Sequence, residues 1–119
     1  MTHRIQAQFE HLQGKYGNLY DFLNHFRAWV NDNTVNYEVF LEDNWFDAHT
    51  TIEYTFRCLE TFNILVFAED EYKNSRDEKG VWHLGEYQKT RWTLENPWEA
   101  IAAFIAENTP PRFKQDGES

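Results

Sequence analysis

The chain has 119 residues, of which 41% are apolar and 26% charged, a composition that suits one water-soluble domain with a core of its own. Twenty acidic against eleven basic residues give a net charge of −9, which argues against direct grip on a nucleic-acid backbone, a contact made by Lys and Arg. The single cysteine, Cys58, leaves no partner for an intramolecular disulfide and no Cys-based zinc site, and the opening residues lack an apolar signal region, so a cytoplasmic protein without a cofactor is expected.

In chain order, Ile5, Phe9 and Leu12 fall at helical spacing and predict a short amphipathic helix over residues 3–13. Gly14 and Gly17 bracket a break. Asn18 then offers an N-cap, with Asp21 in the first turn where a carboxylate suits the positive helix end. Leu19, Phe22, Leu23, Phe26, Trp29 and Val30 continue the helical pattern until the turn formers Asn31, Asp32 and Asn33.

Period-two alternation follows. A strand is predicted over 34–42, with Val35, Tyr37, Val39 and Leu41 on one face. The polar segment 43–49 reads as a loop, and a second strand begins near Thr50, with Ile52, Tyr54, Phe56 and Cys58 facing one way. A turn or bulge is placed near residues 59–61, and a third strand over 62–68. The nearly all-charged stretch 69–80 reads as a solvated hairpin loop. A fourth strand runs from Val81 to about Leu94, with a bulge at Gly85. Asn96-Pro97-Trp98-Glu99 is a helix start, and Asn108-Thr109-Pro110-Pro111 a stop. The predicted order is α-α-β-β-β-β-α: an α+β domain over 1–111, a four-stranded antiparallel meander with helices on one face, and a flexible polar tail over 112–119.

Groups able to attack a substrate are scarce. Ser75 and Ser119 are the only serines, and neither lies in a nucleophile motif. Cys58 falls on the apolar face of its strand, where a thiol acts as a small hydrophobe. The histidines form no H-x-x-x-H or H-E-x-x-H pair, although Asp43, Asp47 and His49 gather metal-type donors in one loop and Asp21 lies one helical turn from His25. The basic, aromatic run 87–92 reads as an edge strand guarded by Lys89 and Arg91 rather than as a base-stacking surface.

Aromatic residues make up 18% of the chain, more than one side of a thin sheet is expected to hide. Phe40 falls on the polar side of the first strand, Phe67 opposite Val66 in the third, and Trp45 and Phe46 sit in a loop among acids. An apolar surface with an acidic border marks a protein interface. The expected partner-binding set is therefore Phe40, Trp45, Phe46 and Phe67 as anchors, with Glu42, Asp43, Glu69, Asp70 and Glu71 steering a basic protein partner. In size and charge the chain is like immunity proteins and inhibitors of defence enzymes, an analogy of class and not of sequence. A homodimer would use the same rings. The competing reading is a small-ligand binder or enzyme with a helix–sheet pocket lined by Tyr37, Tyr54 and Trp82, and with Asp47 or His49 as acid/base.

Overall fold

The computed structural model describes residues 4–93 and 96–108. The elements within them are α1 (Arg4–Lys15), α2 (Leu19–Asn33), β1 (Tyr37–Trp45), β2 (His49–Cys58), β3 (Ile64–Arg76), β4 (Trp82–Trp92) and α3 (Pro97–Asn108). The strands pair antiparallel in the order β1-β2-β3-β4, so the expected meander and the order α-α-β-β-β-β-α are both present. The predicted tail over 112–119 lies outside the described residues.

The helices begin where their caps place them. The Asn18 side chain accepts from the N–H of Asp21 at 3.2 Å, and that of Asn96 accepts from the N–H of Glu99 at 3.1 Å. Thr34 ends α2: its N–H bonds the Val30 carbonyl, and its hydroxyl lies 2.9 Å from the carbonyls of both Val30 and Tyr37. That hydroxyl ties the helix end to the start of β1. The strand consequently begins at Tyr37 rather than at Thr34, and Val35 is left 82% exposed in the link.

One face of the sheet meets all three helices. Tyr37, Val39, Tyr54, Phe56 and Cys58 are buried there against Ile5, Phe22, Phe26, Val30 and Ile101. Phe9 of α1 is the hub, with its ring edge-on to Phe22 at 5.0 Å and to Phe26 at 5.2 Å, and close to Trp98 at 5.5 Å. Such pairs add about 0.5–1.5 kcal/mol each beyond the area they bury. Because α1 lies in this layer, no described element covers the opposite face of the sheet.

Two expectations about β3 are corrected. The charged run 69–80 is not a loop: the strand continues to Arg76, and the reversal occupies only 77–81. Asp70, Tyr72 and Asn74 occupy alternate buried positions, while the charged Glu69, Glu71 and Lys73 take the other face. The second correction concerns Phe67. Tyr54 pairs with Ala68 but the next residue, Thr55, pairs with Val66, so Phe67 is one residue too many in its strand. This bulge turns both Phe67 and Ala68 into the core, where period-two counting had put Phe67 outside.

The bulge expected at Gly85 is present, as β4 carries an extra residue where β3 advances from Lys73 to Ser75. A Cβ on Gly85 would lie 1.4 Å from the Lys73 carbonyl oxygen and 3.0 Å from the Asn74 Cα, both rigid backbone. Gly85→Ala is therefore expected to destabilise the protein by about 3 kcal/mol or more, measured as the shift in urea midpoint at unchanged slope.

Candidate functional site

β1 and β2 meet at a tight tip. Phe46 and His49 exchange backbone hydrogen bonds at 2.8 and 3.1 Å, and their rings lie 5.4 Å apart. The predicted loop 43–49 thus shrinks to the reversal at Asp47 and Ala48, since β1 runs on to Trp45 and β2 starts at His49. Trp45 and Phe46 are 47% and 56% exposed, and Glu42, Asp43 and Asp47 beside them are exposed as well.

The tip is held from behind by Asn74 of β3. Its side-chain amide donates to the Phe46 carbonyl at 2.9 Å and to the Thr50 hydroxyl at 2.9 Å, and its N–H bonds the Ala48 carbonyl at 2.9 Å. Asn74 and Thr50 are buried, so the bond between them is shielded from water, and the bonds from Asn74 to Phe46 and Ala48 fix the direction of the tip. Nothing in the sequence pattern singled Asn74 out, because a polar residue in a charged run carries no signal of burial.

The remaining expected residues are spread over other surroundings. Phe40 is half-buried on the open face, with the Arg57 guanidinium 5.0 Å above its ring and Arg57 ion-paired to Glu38. Glu69 and Glu71 are half-buried on the same face, Glu71 lying 3.8 Å from Lys89. Phe67 and Asp70 are fully buried and present no area to a partner, which corrects their place in the surface set. Phe67 is removed by the bulge, its ring lying 6.2 Å from Phe26 and 6.5 Å from Trp92. Asp70 is removed by its hydrogen bond, accepting the Tyr54 hydroxyl at 2.6 Å. Exposed apolar residues that the sequence reading did not choose include Val35, Phe62, Ile64, Val81 and Leu84. Of these Phe62 stands at φ +63°, a left-handed backbone that costs a bulky residue about 1–3 kcal/mol.

The residues named for the competing pocket are not brought together. Tyr37 and Tyr54 are buried in a filled core, whereas Trp82 pairs with Arg76, eight positions along β3 from the Ala68 that pairs with Tyr54. Asp47 is exposed on the tip, and His49 faces a shallow surface groove shared with Ala48, Glu71, Lys73 and Gln88 on the open side of the sheet, away from the helix–sheet interface. His25 stacks on Tyr16 at 4.3 Å, and the Cys58 thiol is buried 3.4 Å from the Asn108 carbonyl. Among the described residues no three His, Cys, Asp or Glu side chains are placed to hold a metal ion, and no helix is long and apolar enough to cross a membrane. Against known protein families, curated proteins and solved structures, the chain finds no match.

The Tyr54–Asp70 bond lies between the helix layer and the tip, under a rim formed by Tyr20, Tyr72 and Tyr87. Burial is the main reason the Tyr54 phenol is pushed far above the ordinary range, with the hydrogen bond and charge of Asp70 adding to it. Tyr72 is raised too, first by burial and then by its hydrogen bond with Tyr20. Both phenols stay neutral in the folded protein while their unfolded counterparts ionise near pH ~10. Their contribution to stability is therefore fully present below that pH and is expected to be lost as pH rises above it. Thermal melts across the alkaline range check this, and Tyr54→Phe should flatten the decline while costing about 1.5–3 kcal/mol at neutral pH.

Proposed function

We propose that the chain is a small acidic interaction module that binds, and by binding blocks, a basic protein partner in the manner of an inhibitor or immunity protein. The observation that carries this reading is the tip of the β1–β2 hairpin, where Trp45 and Phe46 stand exposed on a backbone pinned by the buried Asn74. Exposed aromatic anchors dominate the energy of protein interfaces, and holding them in place beforehand lowers the entropy lost on association. Hairpin residues 41–52 carry Glu42, Asp43 and Asp47 and no Lys or Arg. Their field attracts a basic surface and raises the encounter rate, an effect that salt screens. Phe40, Glu69 and Glu71 lie apart from the tip on the open face, where Arg57 stands over Phe40 and Lys89 near Glu71, so the tip itself carries the reading.

A basic protein captured from the native host and released by high salt is the expected result of affinity capture with mass-spectrometric identification. Trp45→Ala should weaken that complex by about 2 kcal/mol or more, a loss of roughly thirtyfold in affinity, while leaving the melting temperature nearly unchanged. Unaltered affinity after this substitution, or capture that is indifferent to salt, would overturn the reading.

A further inference from the structure

β1 is an edge of the sheet, and its outer rim is closed over only half its length. Asn31, in the last turn of α2, places its side-chain amide against Val39 as a partner strand would. Its Oδ1 accepts the Val39 N–H at 2.8 Å, and its Nδ2 donates to the Val39 carbonyl at 2.9 Å. The Thr34 hydroxyl reaches the Tyr37 carbonyl beside it. These bonds show which way the backbone of β1 points. In an antiparallel pair, successive residues turn their N–H and C=O alternately toward and away from the partner. Val39 points away from β2, so Leu41, Asp43 and Trp45 do also. The bond exchange between Phe46 and His49 fits the same alternation from the other end.

Beyond Asn31 the outward groups of Leu41, Asp43 and Trp45 have no described hydrogen-bond partner, and Asp43 and Trp45 are exposed. Unpaired edge groups are a template for another strand, usually blunted by lysines, prolines or bulges. β4 at the opposite edge follows that practice, with its bulges and Lys89. The open half of β1 has none of these and carries carboxylates, Glu42 on the open face and Asp43 on the helix side. Pairing with a second copy would bring these acids against one another, and like charges opposed across strands are destabilising. A cationic strand meets the reverse condition.

We propose that the rim of β1 from Leu41 to Trp45 is a β-augmentation site, where an extended, lysine- or arginine-bearing segment of the partner adds as a fifth strand, continuing the line that the Asn31 side chain begins. This rests on the reading of the chain as a binder of basic proteins and specifies how the partner is held: main-chain bonds supply the grip, and Glu42 and Asp43 select its charge.

The probe is the peptide acetyl-Thr-Lys-Val-Lys-Val-Lys-Thr-amide, with two controls: the same peptide N-methylated at alternate residues, and its Glu-for-Lys counterpart. The peptide is expected to slow hydrogen exchange at the amides of Leu41, Asp43 and Trp45, and N-methylation to weaken binding by about tenfold or more. The Glu-for-Lys peptide should not bind. Asp43→Pro removes an outward N–H together with a carboxylate, without touching the β1–β2 ladder, at a place where an edge strand tolerates proline, and should weaken binding well beyond Asp43→Asn, which removes the carboxylate alone. Equal binding of the methylated and unmethylated peptides overturns the strand-addition proposal, even if Asp43→Pro misfolds, and leaves charge-driven binding at the tip standing. No exchange protection at millimolar peptide overturns it also, and the Trp45 substitution then decides the broader reading on its own. A dimer that dissociates on Asp43→Pro would assign the rim to a second copy and overturn the proposal too.

Discussion

One surplus residue in β3 decides how the far half of the sheet is arranged. With Phe67 inserted between the residues that pair with Tyr54 and Thr55, two adjacent side chains enter the core and every later position in the strand changes face. Asp70, Tyr72 and Asn74 then point to the helix side, and Glu69, Glu71 and Lys73 to the other. Without the bulge Asp70 would lie away from Tyr54, and Asn74 would lie away from the tip it holds. The strand bears the distortion because the Phe67 ring gains neighbours in Phe26, Tyr54 and Trp92.

Polar side chains finish what the aromatic core begins. The core ring cluster fixes the helices over one half of the sheet, and three irregular junctions are then tied by an amide or a hydroxyl. Asn108, at the end of α3, accepts from Thr61 at 2.9 Å and from Asn63 at 2.7 Å, holding the β2–β3 turn in which Phe62 takes its strained backbone. Asn31 and Thr34 join α2 to β1, and Asn74 joins β3 to the hairpin tip. A buried polar group costs free energy unless it is satisfied, so the bonds of the buried Thr34, Asn74 and Asn108 each specify one arrangement of the loop. The tip gains rigidity from this without a covering helix, which is what allows its rings to remain at the surface.

The distribution of charge complements that geometry. Several cations elsewhere are engaged near acids or rings: Arg57 with Glu38 and Phe40, Lys89 with Glu71, Arg4 over Trp29. The β1–β2 tip has acids and no cation of its own. Its potential is thus directed outward, next to exposed rings and an open backbone rim, a combination of steering charge, apolar contact and main-chain pairing on one short stretch of chain.

Much of the fold could be read directly from residue order. Helical spacing of Phe22, Phe26 and Val30, alternation through Tyr54, Phe56 and Cys58, and the caps Asn18 and Asn96 specify the elements because each depends on neighbours a few positions away. Gly85 also announced its bulge, since only glycine fits where two backbones close to contact. The aromatic tip was legible for a related reason: Trp45 and Phe46 stand among acids, a pattern that composition alone reveals. The faces of β3 were not legible, because a bulge is set by pairing with a strand elsewhere and leaves no mark on periodicity. The charged run 69–76 looked like solvent-exposed loop for the same reason, until β2 and β4 on either side supplied its hydrogen bonds. The sequence by itself determined which elements exist, their order and the sign of the surface. Tertiary structure decided which acid is buried, which rings stay outside and which stretch of edge is left open, because those depend on contacts between residues far apart in the chain.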